Sequence, residues 1–385
     1  MKRAASASIT RRAVLVAIGA GATLGSSGFL FDGAHAQGRG PAGPGRTGAT
    51  GDLASGLPII DTHAHLRALT VRGQFDWDSA VQVALANMDK LGIRRTLIMP
   101  PPIVVGAEAA YDLEFAAPLQ RRSDRFSVVA GGGSLNVMLN RTRGETTISD
   151  GTLHDFERAA LQIVEAGAVA FGELACEHFS GMAGHPYESV RPDHPLLLRL
   201  ADIAAERGIP IDIHMEALSN DSPMPPLMLQ RSRTNPPTVA ANIGRFERLL
   251  AHNRRASIIW VHLGWDNTGQ RTPELMRELL QRNDNLVLQA RPLPPPPNAQ
   301  KEPLRNFLLD ADLRLVPEWL RLMMEFPDRF VLGTDSFYDA PAANTRVQFA
   351  PPLPFARFFV NDLPPELGRK VAFENAIRLY RLPPL

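Results

Sequence analysis

From Leu57 onward, short apolar and β-branched runs alternate with stretches whose apolar residues recur at three- and four-residue spacing. The short runs predict eight strands: Ile59–Asp61, Thr96–Met99, Ser127–Ala130, Val169–Glu173, Ile211–His214, Ile258–His262, Leu286–Gln289 and Phe330–Thr334. The longer stretches carry helix signals. Ala80, Val81, Ala84, Leu85 and Met88 form one stripe over Asp78–Leu91, which stops at Gly92. Leu196–Arg207 stops at Gly208, Thr272-Pro273 caps Glu274–Gln281, Pro317 opens Glu318–Glu325, and Glu366–Tyr380 closes the chain. Strand followed by helix, eight times over, calls for parallel pairing through helical crossovers and predicts an α/β fold, a (β/α)8 TIM barrel, over residues 57–385. An open doubly wound sheet is the alternative, but it binds at one switch point and leaves polar residues at five strand ends unexplained.

Four connections after strands are long: Pro100 to Ala110, Cys176 to Pro195, Met215 to Thr238, and Arg291 to Pro303 with its run Pro294-Pro295-Pro296-Pro297. Proline stiffens them, so they are expected to wall a pocket rather than to close over it.

Composition narrows the class. With 44% hydrophobic and 21% charged residues in 385, the chain can bury a large core, and a net charge of +1 with interleaved signs lacks the basic stripe of a nucleic-acid or membrane-surface binder. The single cysteine, Cys176, excludes an intrachain disulfide and a cysteine-rich zinc cluster. The first residues differ in kind. Lys2, Arg3 and Arg11-Arg12 precede a mildly apolar run from Ala13 to about Gly25, and Ala34-His35-Ala36 offers a small-x-small cleavage site. Residues 1–36 therefore read as a twin-arginine signal peptide, with export to the periplasm or medium and no stable membrane insertion after cleavage. Residues 37–56, rich in Gly, Pro, Ala and Thr, read as a flexible tether.

The chemistry begins at Asp61-Thr62-His63-Ala64-His65. Side chains two apart on a strand point the same way, so His63 and His65 can grip one cation. An acidic or histidine residue recurs at the end of later strands as Glu173, His214, His262 and Asp335. Closing the barrel sets strand eight beside strand one, so Asp335 can share the ion of His63 and His65. Glu173 can bridge that ion to a second one held by His214 and His262. Such a ligand set suits a divalent metal, zinc foremost, with manganese or iron as alternatives and one or two ions in the site. A water activated there is a nucleophile at neutral pH, with Asp335 placed to orient it and take its proton.

Those motifs, with Gly172-Glu173, Ile213-His214, Val261-His262-Leu263-Gly264, Gly333-Thr334-Asp335 and the closing Glu374-Asn375-Ala376-Ile377-Arg378-Leu379-Tyr380, resemble the amidohydrolase superfamily. The resemblance is to its amidohydrolase-related branch of metal-dependent hydrolases, lactonases and non-oxidative decarboxylases. It implies metal-binding or catalytic roles for His63, His65, His214, His262 and Asp335. Glu173 stands where many two-metal members carry a carboxylated lysine, which resembles the variant with a bridging glutamate. In one-metal decarboxylases the histidine matching His262 is a proton donor.

Further candidates are weaker. Arg291 could clamp a substrate carboxylate, and of the loop histidines His178, His185 and His194 one could touch substrate. Cys176 lacks an activating base and is expected to be inert. Glu216, Trp265 and Asp266 are expected at the pocket wall without a catalytic role. The reading is an exported hydrolase of an ester, lactone, amide or phosphoester of a small molecule. A one-metal decarboxylase of an aromatic or unsaturated acid is the runner-up, and a catalytically silent ligand-binding barrel the reading from another class. A homo-oligomer is compatible with the sequence, which does not fix the substrate or the metal.

Overall fold

The computed structural model describes residues 56–103, 112, 114–181, 186–263, 266–295, 306–341 and 353–385. The expected signal peptide and tether, apart from Gly56, lie outside the described residues, as do His185, Trp265 and Pro296-Pro297.

Parallel strands run β1 (Ile59–Arg67), β2 (Ile93–Ile98), β3 (Phe126–Gly131), β4 (Ala170–His178), β5 (Ile211–Met215), β6 (Ile258–Leu263) and β7 (Leu286–Ala290), each paired with the next. The eighth strand comes in two pieces, β8 (Phe330–Leu332) and β9 (Ser336–Asp339). β8 pairs with β7 and β9 pairs with β1, so the eighth strand closes the barrel by changing neighbour halfway along. The amide of Gly333 still donates to Ala290 on β7 at 3.0 Å, whereas that of Asp335 donates to His63 on β1 at 2.8 Å.

Helices Trp77–Leu91, Asp150–Glu165, Pro195–Arg207, Ile243–His252, Pro273–Arg282 and Pro317–Glu325 cover the outside. Their ends follow local chemistry. Gly92 and Gly208 cap two of them at φ 65° and 66°, a left-handed backbone that glycine adopts without a Cβ penalty. Thr272 accepts from the amide of Leu275 at 3.2 Å, and Pro273 opens the helix. One core lies between strands and helices. A second fills the barrel itself with Ile60, Leu97, Val129, Ile259, Val287 and Val331, on which Tyr380 and Leu382 of the C-terminal segment pack as a floor.

Four expectations are corrected. Strand four does not end at Glu173 but runs on to His178, because Glu188–Ser189 pairs antiparallel with Glu177 and His178. The connection after Met215 has structure of its own, a two-stranded pair Ser222–Pro223 with Thr238–Val239 and a helix Pro226–Arg231. Strand eight stops at Leu332 rather than Thr334. The final helix is three pieces, Pro365–Arg369, a π turn Lys370–Glu374, and Asn375–Leu379.

Candidate metal centre

At the C-terminal mouth of the barrel the strands bring six side chains together. On β1 the register against β2 shifts between Asp61 and Ala64, and the two histidine rings converge with Nε2 atoms 3.2 Å apart. His65 Nδ1 is fixed by the carbonyl of Met99 at 2.9 Å, which turns Nε2 toward the centre. Glu173 stands between two groups: Oε2 is 3.4 Å from His63 Nε2 and 3.7 Å from His65 Nε2, while Oε1 is 2.9 Å from His214 Nδ1 and 2.8 Å from His262 Nε2. Asp335 Oδ1 is 3.1 Å from His65 Nε2 and 3.8 Å from His63 Nε2.

Two of the six owe their place to an unusual backbone. Val261 belongs to the interior cluster with Ile259, so strict alternation would send His262 outward; at φ 63° it turns inward and reaches Glu173. Asp335, at φ 54°, sits in the break between β8 and β9. Left-handed conformations of non-glycine residues cost energy and persist where the surroundings impose them. Here Asp61 imposes one, accepting from the amide of Thr334 at 2.9 Å and its hydroxyl at 2.6 Å. Gly333, next to Thr334, leaves room for Gln289, whose side chain a Cβ there would meet.

The electrostatics favour a bound cation. Burial raises the cost of ionising Glu173, but His63, His262 and His214 outweigh it and hold its pKa well below the usual carboxylate range. Asp335 is likewise held far down against its burial, chiefly by Arg291, whose Nη2 is 3.1 Å from Oδ2, with help from His262 and His65. Burial lowers the pKa of His262 to about 3, against the opposing pull of Asp335 and Glu173. Burial also opposes charge on His65, yet its hydrogen bond to Asp335 and the field of Glu173 leave its pKa raised.

The residues fit a divalent metal. Ligand atoms of His63, His65 and Glu173, of His63, His262 and Asp335, and of Glu173, His214 and His262 each lie within 4.8 Å of one another. Separations of 3.4 to 3.8 Å are long for hydrogen bonds but right for atoms that share an ion at about 2.0–2.2 Å each. His262 Nδ1 is buried without a hydrogen-bond partner and lies 3.9 Å from Asp335 Oδ2, an arrangement an ion would complete.

Other candidates fall in distinct places. His178 ends β4 with its ring against His214, centroids 4.4 Å apart, at the rim of the site. Arg291 points at Asp335 rather than at solvent. His194 is not a solvated loop residue: fully buried, it accepts from the amide of Leu196 and bonds the carbonyl of Thr142, so it caps a helix. Glu216 and Asp266 hold loops, the first through Asn267 and the second through Thr268, Gly269 and Asn306. Cys176 is buried, and its thiol pKa is pushed up by that burial. Not anticipated were Asp61, and Asp212 beneath the site on β5, whose carboxylate accepts from the hydroxyl of Tyr380 at 3.2 Å. Burial raises their pKa values to about 6 and about 7. Asp61 was legible as a buried acid beside the histidine pair; Asp212 gave no signal apart from its position two residues before His214.

Comparison with known proteins places these residues in a wider group. A family model described as Amidohydrolase matches residues 60–382. No curated protein matches the chain. Among solved structures, an apo protein of Agrobacterium tumefaciens is similar at 14% identity and a TM-score of 0.46, over 86% of this chain and 99% of that one. A 2,6-dihydroxybenzoate decarboxylase from Rhizobium is similar at 17% identity and 0.42, over 85% and 99%. A dipeptidase, described as a metallopeptidase, is similar at 12% and 0.41, over 85% and 98%.

Proposed function

The chain belongs to the amidohydrolase family, and from that premise we propose that it is a two-metal hydrolase cleaving an ester, lactone, amide or phosphoester of a small molecule. The observation that carries this reading is the division of Glu173, with one oxygen facing His63 and His65 and the other facing His214 and His262. A carboxylate so divided suits a bridge between two ions. When bound, such ions lower the pKa of a water and polarise the oxygen of the bond to be cleaved.

The protein's own groups supply the rest. His63, His65, Glu173, His214 and His262 would hold the ions, and Asp335, 3.1 Å from Arg291 and beside His65, would accept the proton of the attacking water at a carboxylate oxygen. Asp335 then passes the proton to the leaving group. Asp61 fixes the backbone of Thr334 and so the position of Asp335.

The runner-up, a one-metal decarboxylase with His262 as proton donor, draws on Arg291, a guanidinium able to hold a substrate carboxylate. Metal content by elemental mass spectrometry decides between them. Two ions per chain and turnover of ester, lactone or phosphoester support the hydrolase; one ion with release of carbon dioxide supports the decarboxylase. Two ions with no turnover across a broad panel would leave the silent ligand-binding barrel.

The reading extends to location. Arg11-Arg12 and the cleavage site Ala34-His35-Ala36 support export of the folded, metal-loaded enzyme to the periplasm. Replacing Arg11-Arg12 with Lys-Lys is expected to retain the uncleaved protein in the cytoplasm, as read by fractionation; continued export would refute the twin-arginine route.

A further inference from the structure

At the opposite end of the barrel, below the floor, a cleft of about 160 Å³ opens between the loops that enter β5 and β6 and the end of the chain. Arg255, Arg378 and Arg381 line it, with Ser257 and Gly208, and no carboxylate is among its lining residues. Among the described residues none of the three guanidiniums pairs with an acid. Arg378 donates to the carbonyl of Asp328 at 2.6 Å, and Arg381 donates once, to the carbonyl of Arg207 at 3.3 Å. Each guanidinium carries five N–H donors, so most remain for a ligand.

Arg381 is held there at a cost. The amide of Leu382 bonds the carbonyl of Ile377 at 3.0 Å, a helix-ending turn whose left-handed position glycine usually fills; here that position is Arg381 at φ 51°. Its guanidinium lies over Gly208. An arginine in a glycine's conformation at the end of a helix is not explained by capping alone.

We propose that this cleft binds a small phosphate-class oxyanion, either free phosphate or the phosphate of a phosphomonoester. The fork of an arginine matches two oxygens of such a group, and three guanidiniums with no acid partner among the described residues, lining one small cleft, supply charge and donors for a dianion. The site is independent of the metal centre and does not rest on the reading of its chemistry.

The test is isothermal titration of the metal-loaded full chain with inorganic phosphate and, separately, with glycerol 3-phosphate at low salt. The wild type is compared with Arg255→Ala, Arg381→Gly and, as a control for net charge, Arg158→Ala. One saturable site is expected, weakened about tenfold or more by each cleft variant, the loss of one charged hydrogen bond, and unchanged by the control. Arg381→Gly is expected to keep or raise thermal stability, since glycine fits the backbone there. The tighter of the two ligands identifies the source. No saturable binding, binding equally strong in both cleft variants, or an Arg381→Gly variant that loses stability while keeping its phosphate affinity would each overturn the proposal.

Discussion

Two glutamates lie four residues apart on β4, both buried, and their environments drive them in opposite directions. Glu173 meets the rings of His63, His65, His214 and His262 and stays ionised. Glu177 accepts from the hydroxyls of Tyr187 at 2.6 Å and Ser189 at 2.9 Å, and burial raises its pKa to about 7 despite them and the field of His214. Asp335 and Asp212 repeat the contrast, the first beside Arg291 and held down, the second beside Tyr380 and raised to about 7. Burial alone therefore does not mark a functional acid. What separates the two kinds is whether groups able to carry positive charge, or to share a cation, surround the carboxylate.

The contrast is broken most severely at Asp335. Asp335→Asn is expected to lower turnover by about 10²–10⁴-fold while leaving the folded circular dichroism spectrum unchanged, the usual cost of a lost general base; retained turnover would remove Asp335 from that role. Glu173→Ala is expected to reduce metal content from two ions per chain to about one; an unchanged content would refute the bridge. Glu177 gives a pH signature of its own. Its folded pKa of about 7 exceeds the ordinary 4.5, so between those values the unfolded chain has released a proton that the folded chain keeps, and stability falls as pH rises through the window. Glu177→Gln is expected to remove its share of that slope, leaving the shares of Asp212 and Asp61, and to gain about 3 kcal/mol above pH 7 in urea unfolding. Gly333→Ala should cost about 1–3 kcal/mol by overpacking, because Gln289, tied to Thr62 at 3.0 Å, cannot move aside. The smallest effect is none: Cys176 in the folded protein should not react with a thiol reagent, and Cys176→Ser should keep full activity.

Much of this was legible in the sequence because it depends on periodicity. The strands, the histidine pair and the glycine-terminated helices all follow from spacing of two or from stripes at three and four. The rest depends on backbone states that spacing does not encode. Nothing in Val261-His262 announces the φ of 63° that turns the histidine inward, and nothing in Gly333-Thr334-Asp335 announces that the strand changes neighbour there. The extension of β4 past Glu173 required a partner, Glu188–Ser189, too short to stand out. Nothing in the loop sequence around His194 announces that its ring caps the helix that Pro195 opens. Arg291 could be placed after β7 but its partner could not, since Asp335 reaches it only by folding.

The divided eighth strand also sets a schedule. His65 and Asp335 are 270 positions apart, and their meeting requires β9 to dock against β1 as the last seam of the cylinder. A nascent chain cannot bring all six side chains together until that strand has left the ribosome, and contacts of such sequence separation form slowly. Closure thus becomes a checkpoint: a fragment lacking the last strand would still bring His63, His65, Glu173, His214 and His262 together, but without the acid that completes the site.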